Sequence, residues 1–195
     1  MKPVLPRAAF RKLAALNARM SETYDQAATT LGLACADCPD NCCHSFFQHH
    51  TQIEWAYLRQ GLAGLAEPDR AVLLERAEAY LREARPLLAR GELPRIACPL
   101  LDAGRCLLYA HRPMICRLHC VPGLLVKPDG SRAESPGCPR AQALVAQGRS
   151  ALVLDRTPFL EALFNLEVEF LGGRSRLRRK IDLPVAGMLV LDPPR

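Results

Sequence analysis

Apolar residues recur every three or four positions from Ala9 through Leu13, Leu16, Met20, Tyr24 and Ala27 to Leu31, with Arg, Lys, Glu and Asp between them. That period predicts a helix over residues 6–31, and Gly32 supplies its stop. The pattern breaks in CADCPDNCC, residues 35–43, where Pro39, Asp40 and Asn41 predict a tight loop. It resumes after Thr51. Thr51 and Glu54 fit a capping box, and Ile53, Tyr57 and Leu58, with Trp55 beside them, give the apolar face of a helix ending near Gly61 to Gly64. A third helix runs from about Pro68 to Arg90. Leu73, Leu74, Ala77, Tyr80, Leu81 and Ala84 form its apolar side, and Pro86 is expected to kink or end it.

From residue 95 to 140 the helical period is lost, and Cys, Pro and Gly become frequent. The segment predicts a turn around Asp102 to Gly104, an extended piece around Cys106 to Tyr109, and a helical turn starting near Pro113. A polar surface loop follows, KPDGSRAESPG, turning at Pro128-Asp129-Gly130. Residues 139–148 predict a short helix with Pro139 in its first turn. Residues 157–171 predict a longer one, with Phe159, Leu160, Leu163, Phe164, Leu166 and Phe170 as apolar positions. The chain closes with a basic run (Arg174, Arg176, Arg178, Arg179, Lys180) and an apolar stretch carrying two proline brakes. The fold class is therefore mostly α, with helices packed around an irregular cysteine-rich region. Three segments are expected: an N-terminal helix (1–34), a cysteine-cluster region with inserted helices (35–140), and a helical segment with the basic tail (141–195), packed on the same domain.

Composition narrows the function. With 49% hydrophobic and 24% charged residues the chain is that of an ordinary globular protein. No apolar run approaches the ~18 residues of a membrane span, and the basic, proline-bearing start does not form a signal peptide, so a cytoplasmic protein is expected. The net charge of +6 permits an acidic partner without requiring one. The basic run lacks interleaved aromatics, which are only 6% of the chain, so a solvated surface is expected there and no nucleic-acid partner.

The nine cysteines, Cys35, Cys38, Cys42, Cys43, Cys98, Cys106, Cys116, Cys120 and Cys138, change the picture most. In a reducing compartment, clustered cysteines favour metal over disulfides. Thiolates are soft ligands suited to Zn²⁺ and to iron–sulfur clusters. Cys35 and Cys38 have the two-residue gap that places both sulfurs on one metal. Adjacent Cys42 and Cys43 project differently, which suits two sites or two atoms of a cluster. Cys116 and Cys120, four apart, would share a helix face. Eight thiolates holding two Zn²⁺ would lower the net charge to about +2. A redox dithiol at Cys35 and Cys38 fits less well, because the pair follows a helix instead of opening one.

The motifs together resemble the YkgJ-type cysteine-cluster proteins, a family described as zinc- or iron-chelating. The matching positions are Cys35, Cys38, Cys42, Cys43, Cys98-Pro99, Gly104 to Cys106, Tyr109, Arg112-Pro113, Cys116-Arg117 and Cys138. The resemblance covers roughly residues 35–140. It departs from the family pattern in the three residues Pro39 to Asn41, where two are usual, and in Cys120. It implies metal ligands at Cys35, Cys38, Cys42, Cys43, Cys98, Cys106, Cys116 and Cys138, with Cys120 an additional candidate or a spectator. Two arrangements remain open: two closed four-thiolate zinc sites, or one iron–sulfur cluster with the remaining cysteines structural or on a second metal.

Arg105, Arg112 and Arg117 are cations near these thiols, otherwise read as ordinary surface residues. Of the histidines, His44 and His119 are the first candidates for extra ligands, while His49, His50 and His111 are read as surface or hydrogen-bonding groups. Trp55 and Tyr109 are read as core. No phosphate loop, nucleophile elbow or Ser–His–Asp set is present. The expected function is a cytoplasmic metal-binding protein. The alternatives are a metal- or iron–sulfur-dependent enzyme acting on a protein or peptide, since flagellin lysine N-methylases carry a similar cysteine signature, or a zinc-stapled interaction module.

Overall fold

In the computed structural model the first apolar stripe becomes helix α1 (Pro6–Leu31), over the span its period predicts. The other elements are α2 (Gln52–Ala63), α3 (Glu67–Ala89), β1 (Leu101–Asp102), β2 (Arg105–Cys106), α4 (Met114–Leu118), β3 (Gly123–Val126), β4 (Arg132–Ser135), α5 (Pro139–Ala146), β5 (Leu154–Asp155), α6 (Thr157–Leu171) and α7 (Val185–Val190). Single 3₁₀ turns lie at Cys42–His44 and Tyr109–His111. The structure describes residues 6–35, 38, 42–172 and 181–193. Pro39 to Asn41 and the basic run from Arg174 to Lys180 lie outside the described residues. The protein is mostly α-helical, and among the described residues no helix is long and apolar enough to cross a membrane.

The chain divides into two units, Met1–Cys42 with Met114–Arg178, and Cys43–Pro113 with Arg179–Arg195. In the first, α1 packs along α6 and against α4, α5 and β5. Its stripe of Leu13, Leu16, Met20 and Leu31 is buried, as are Leu118, Leu154, Phe159 and Leu163 opposite. Phe10 stacks on Phe170 with ring centres 6.2 Å apart. The helix ends as its sequence requires. Gly32 turns left-handed at φ 72°, and the Leu33 N–H returns to the Ala28 carbonyl at 2.8 Å, the doubled-back helix end that glycine permits.

The polar segment read as a surface loop is instead a hairpin. β3 and β4 pair antiparallel from Gly123 opposite Ser135 to Val126 opposite Arg132, and β5 adds to β3 in parallel. The expected turn sits at its tip, where Gly130 has φ 81° and the Asp129 carboxylate accepts from the Ser131 N–H at 2.9 Å. Charged, alternating Arg132 to Ser135 carries too few apolar residues to announce a strand. Its pairing with Gly123 to Val126 supplies what its composition does not.

In the second unit, α7 packs on α3 and α2. Trp55, Leu58, Leu62, Leu73, Ala77 and Tyr80 form a core with Ile181, Met188 and Leu189, and the indole N–H of Trp55 donates to the Met188 carbonyl at 2.8 Å. His49 and Leu183 form a bridge. Pro86 does not end α3, which runs on to Ala89. Proline there removes a single N–H bond in the last turns, too little to break the helix. Thr51 caps α2 by position, yet its hydroxyl donates to the Glu54 carboxylate at 2.5 Å and makes no bond to a helix N–H, so the reciprocal capping box is not formed. β1 and β2 close a two-residue hairpin at Ala103 and Gly104, with φ 44° and 78°. The extended piece after it is shorter than expected, because Tyr109 already opens a 3₁₀ turn.

The cysteine-rich region does not lack packing. Leu100, Leu108, Leu118 and Val121 within it are buried.

Candidate metal centre

None of the nine cysteines is in a disulfide. The unit boundary falls between Cys42 and Cys43, so the adjacent pair gives one thiol to each unit. Cys35, Cys38, Cys42, Cys116, Cys120 and Cys138 belong to the first, and Cys43, Cys98 and Cys106 to the second.

In the first unit the doubled-back end of α1 delivers Cys35 to the helix it has just left. Its sulfur lies 3.4 Å from the hydroxyl of Tyr24. Cys120 follows α4 and hydrogen-bonds both Cys35 and Cys42. Cys120 thereby pairs with two thiols of a segment far from it in the sequence. Cys35 is exposed and Cys120 buried. The Cys35 thiol is brought down to about 6, chiefly by the hydrogen bond from Cys120 and then by that from Tyr24, against the opposing effect of burial. Cys120 is pushed up because it donates to Cys35 and Cys42, with burial adding to the shift. Burial, and then the charge of Cys120, pushes the Tyr24 hydroxyl up. Cys120 and Tyr24 thus act as donors, and the Cys35 thiol they bond is the more readily ionised.

Cys138 reaches the same place through the backbone. Its N–H donates to the Cys120 carbonyl at 3.0 Å, and it stands at the N-cap of α5. Gly137 makes this approach possible. A Cβ there would sit 2.7 Å from the Cys120 oxygen and 3.0 Å from backbone atoms of Val121 and Pro122, at φ 81°. Only glycine fits both constraints. Cys116 is on α4 and, like Cys38, half-buried. Because α4 ends at Leu118, Cys116 and Cys120 do not share a helix face. Cys120 lies beyond the helix end, which is what lets it reach Cys35.

In the second unit the Cys98 N–H donates to the Cys43 carbonyl at 2.8 Å, and the Cys98 carbonyl accepts from Leu101 at 2.9 Å. Leu101 pairs with Cys106 across the hairpin. Cys98 and Cys106 both pack against the core, and within that core Tyr80 is pushed up to about 12 by burial and then by Cys98.

The expected accessory residues are dispersed. Arg117 is buried, with a guanidinium nitrogen 3.5 Å from the Ser21 hydroxyl. Arg112 lies over the Tyr109 ring at 3.7 Å and donates to its hydroxyl at 2.8 Å. Tyr109 is not core: it is 58% exposed, held by that arginine on the surface, whereas Trp55 is buried as expected. Arg105 is exposed on β2. His119 has its basicity lowered, first by burial and in part by Arg156, against the charge of Cys42. His44 is half-buried, His111 packs on the Tyr57 ring at 4.6 Å, and the exposed His50 lies 2.8 Å from Asp182. His49 is buried, contrary to a surface assignment, because the bridge to Leu183 draws its backbone into the core.

The sulfur donors, one of them readily ionised and with Arg140 and Arg156 acting on them, fit a soft cation such as zinc or iron. The thiols meet pairwise. Among the described residues no three His, Cys, Asp or Glu side chains are arranged around one ion position. Arg156, far from every cysteine motif, carries no sequence signal. Cys120 did carry one, in its spacing from Cys116.

A family model named CxxCxxCC, with the description "Putative zinc- or iron-chelating domain", matches residues 34–138, a span holding all nine cysteines. No curated protein and no solved structure matches the chain significantly.

Proposed function

This chain belongs to the CxxCxxCC family of zinc- or iron-chelating domains, and from that premise we propose that it is a cytoplasmic protein that binds zinc or iron through its clustered thiolates. The observation that carries this reading is the pairing of Cys120 with both Cys35 and Cys42, which joins thiols from segments far apart in the chain. Isolated core cysteines have no reason to converge. The ligands proposed in the first unit are Cys35, Cys38, Cys42, Cys116 and Cys138, to which the contact adds Cys120. Cys43, Cys98 and Cys106 are the ligands proposed in the second.

The chain's own part is to deliver and ionise the sulfurs. Tyr24 and Cys120 favour the Cys35 thiolate by hydrogen bonding, and binding releases the protons held by the remaining thiols. The metal, when bound, cross-links loops that the backbone has already brought together. A reducing compartment keeps these thiols available.

Protein purified anaerobically is expected to carry zinc or iron by elemental analysis. A visible absorption band with acid-labile sulfide would mark an iron–sulfur centre, and a colourless zinc protein the closed thiolate sites. Cys35→Ser and Cys120→Ser are each expected to lower the metal content. Wild-type protein without zinc or iron would overturn the proposal.

A further inference from the structure

We propose that Arg156 is a positioning residue of the first unit's thiol site, a fixed cation that holds the turn bearing Cys120 by its carbonyls and offsets the negative charge of thiolates there. The inference rests on the metal-binding reading and assigns a role to a residue outside the family span of 34–138.

The placement of this arginine is determined on every side. Its backbone N–H donates to the Leu124 carbonyl at 2.8 Å, and its own carbonyl accepts from Leu160 at 3.0 Å. It is therefore locked between β3 and α6, whose N-cap it forms. The flanking residues are tied too. Asp155 accepts from the Thr157 N–H at 2.9 Å, and the Thr157 hydroxyl accepts from the Val126 N–H at 2.9 Å. From this anchor the guanidinium crosses β3 and its Nη2 donates to the carbonyls of Leu118, at 2.8 Å, and Val121, at 3.5 Å. Those two carbonyls bracket His119 and Cys120. The carbonyl of Cys120 is occupied by Cys138, so the turn is held from both sides.

Gly123 provides the passage. A Cβ there would lie 2.6 Å from Nε and 2.9 Å from Cζ and Nη2 of Arg156. Nε is itself buried with no hydrogen-bond partner. A side chain is kept in a part-dehydrated position at the cost of one unmet donor, which needs an offsetting gain. Two carbonyls are part of it. The other part is charge: bonded to the carbonyls on either side of His119 and Cys120, the guanidinium sits at the turn that carries this thiol. Metal–thiolate groups of this kind carry net negative charge, and a fixed cation lowers the cost of assembling them.

Three variants separate tether from charge. Arg156→Gln removes the cation and keeps an amide donor. Arg156→Lys keeps the cation and loses the planar fork. Gly123→Ala keeps the arginine and obstructs it. The Cβ meets the far end of a flexible side chain, so the guanidinium swings away with little loss of fold. Metal-free protein is loaded with Co²⁺, the spectroscopic stand-in for zinc or ferrous iron, and affinity is read by chelator competition beside a melting curve of the metal-free form.

Arg156→Gln and Gly123→Ala are expected to bind Co²⁺ about 10–100-fold more weakly, with Arg156→Lys recovering most of the loss. At full loading the thiolate-to-cobalt charge-transfer band should move to lower energy in Arg156→Gln and stay in place in Arg156→Lys. In the metal-free protein the Cys138 amide should exchange faster in Arg156→Gln and Gly123→Ala. Wild-type affinity in Arg156→Gln overturns the inference. So does an equal loss in Gln and Lys variants with an unmoved band, which would leave only a tether. Wild-type protein that takes up none of Co²⁺, Zn²⁺ or Fe²⁺ instead overturns the metal-binding reading on which the inference stands.

Discussion

His49 shows how much one buried atom can fix. Its side chain is 3% exposed, and its Nε2 has no hydrogen-bond partner among the described residues. Burial, with the neighbouring His50 adding to it, holds its pKa down at about 3 against an ordinary 6.5. Below pH 6.5 the unfolded chain takes up a proton that the folded chain refuses. Stability is therefore full above 6.5 and falls as the pH drops toward 3, by about 1.4 kcal/mol per unit. Between pH 7 and pH 5 His49 should account for about 2 kcal/mol of lost unfolding free energy. His49→Gln has no such proton to gain, so denaturant unfolding at the two pH values should show a smaller drop than in wild type. Equal drops would mean that another group drives the acid sensitivity.

At the scale of elements, the packing of α2 on the 3₁₀ turn at Tyr109–His111 depends on a missing side chain. A Cβ on Gly61 would lie 2.6 Å from Cγ and 2.7 Å from Nδ1 of His111. Alanine in mid-helix ordinarily adds about 1 kcal/mol over glycine, and overpacking takes away about 1–3 kcal/mol. Gly61→Ala is thus expected to lower stability by about 1 kcal/mol. In an His111→Ala background the same change should raise it, because the obstruction is gone. Denaturant unfolding of the four proteins checks the reversal, and a loss in both backgrounds would refute the contact. The sequence placed this glycine near the end of α2, where a stop was expected. Its role against His111 was not legible, since nothing local to either residue mentions the other. Helices α1 and α6 were legible to the residue because each has a long apolar period, closed in α1 by Gly32. The β3–β4 hairpin was not, because its strands are short and one is polar.

At the scale of the molecule, the C-terminal stretch with its proline brakes proves to be core. Met188 and Leu189 are fully buried. Arg59 donates to the Leu189 carbonyl and pairs with Asp192 at 2.9 Å. Removing residues 172–195 would therefore not isolate the basic run, because it would strip the second unit of α7. Leu189→Ala alone should cost about 2–5 kcal/mol. Trp55 is the protein's one tryptophan and contacts α7 directly, so its fluorescence reports this unit. An unchanged denaturation midpoint for Trp55 emission would show that α7 is not needed there.

The sequence alone determined the long helices, the mostly α class and the clustering of thiols. Helix period and cysteine spacing are local properties, and the chemistry of a thiolate travels with the residue. Tertiary structure alone decided which thiols meet. Cys35 reaches Cys120 because α1 doubles back at Gly32 and α4 stops short at Leu118, and the backbone of Cys138 bonds that of Cys120 because Gly137 has no side chain. The cation beside them comes from Arg156, through a gap left by Gly123. Contacts of this kind depend on where the backbone turns and on the space left open, and no spacing within a single segment encodes either.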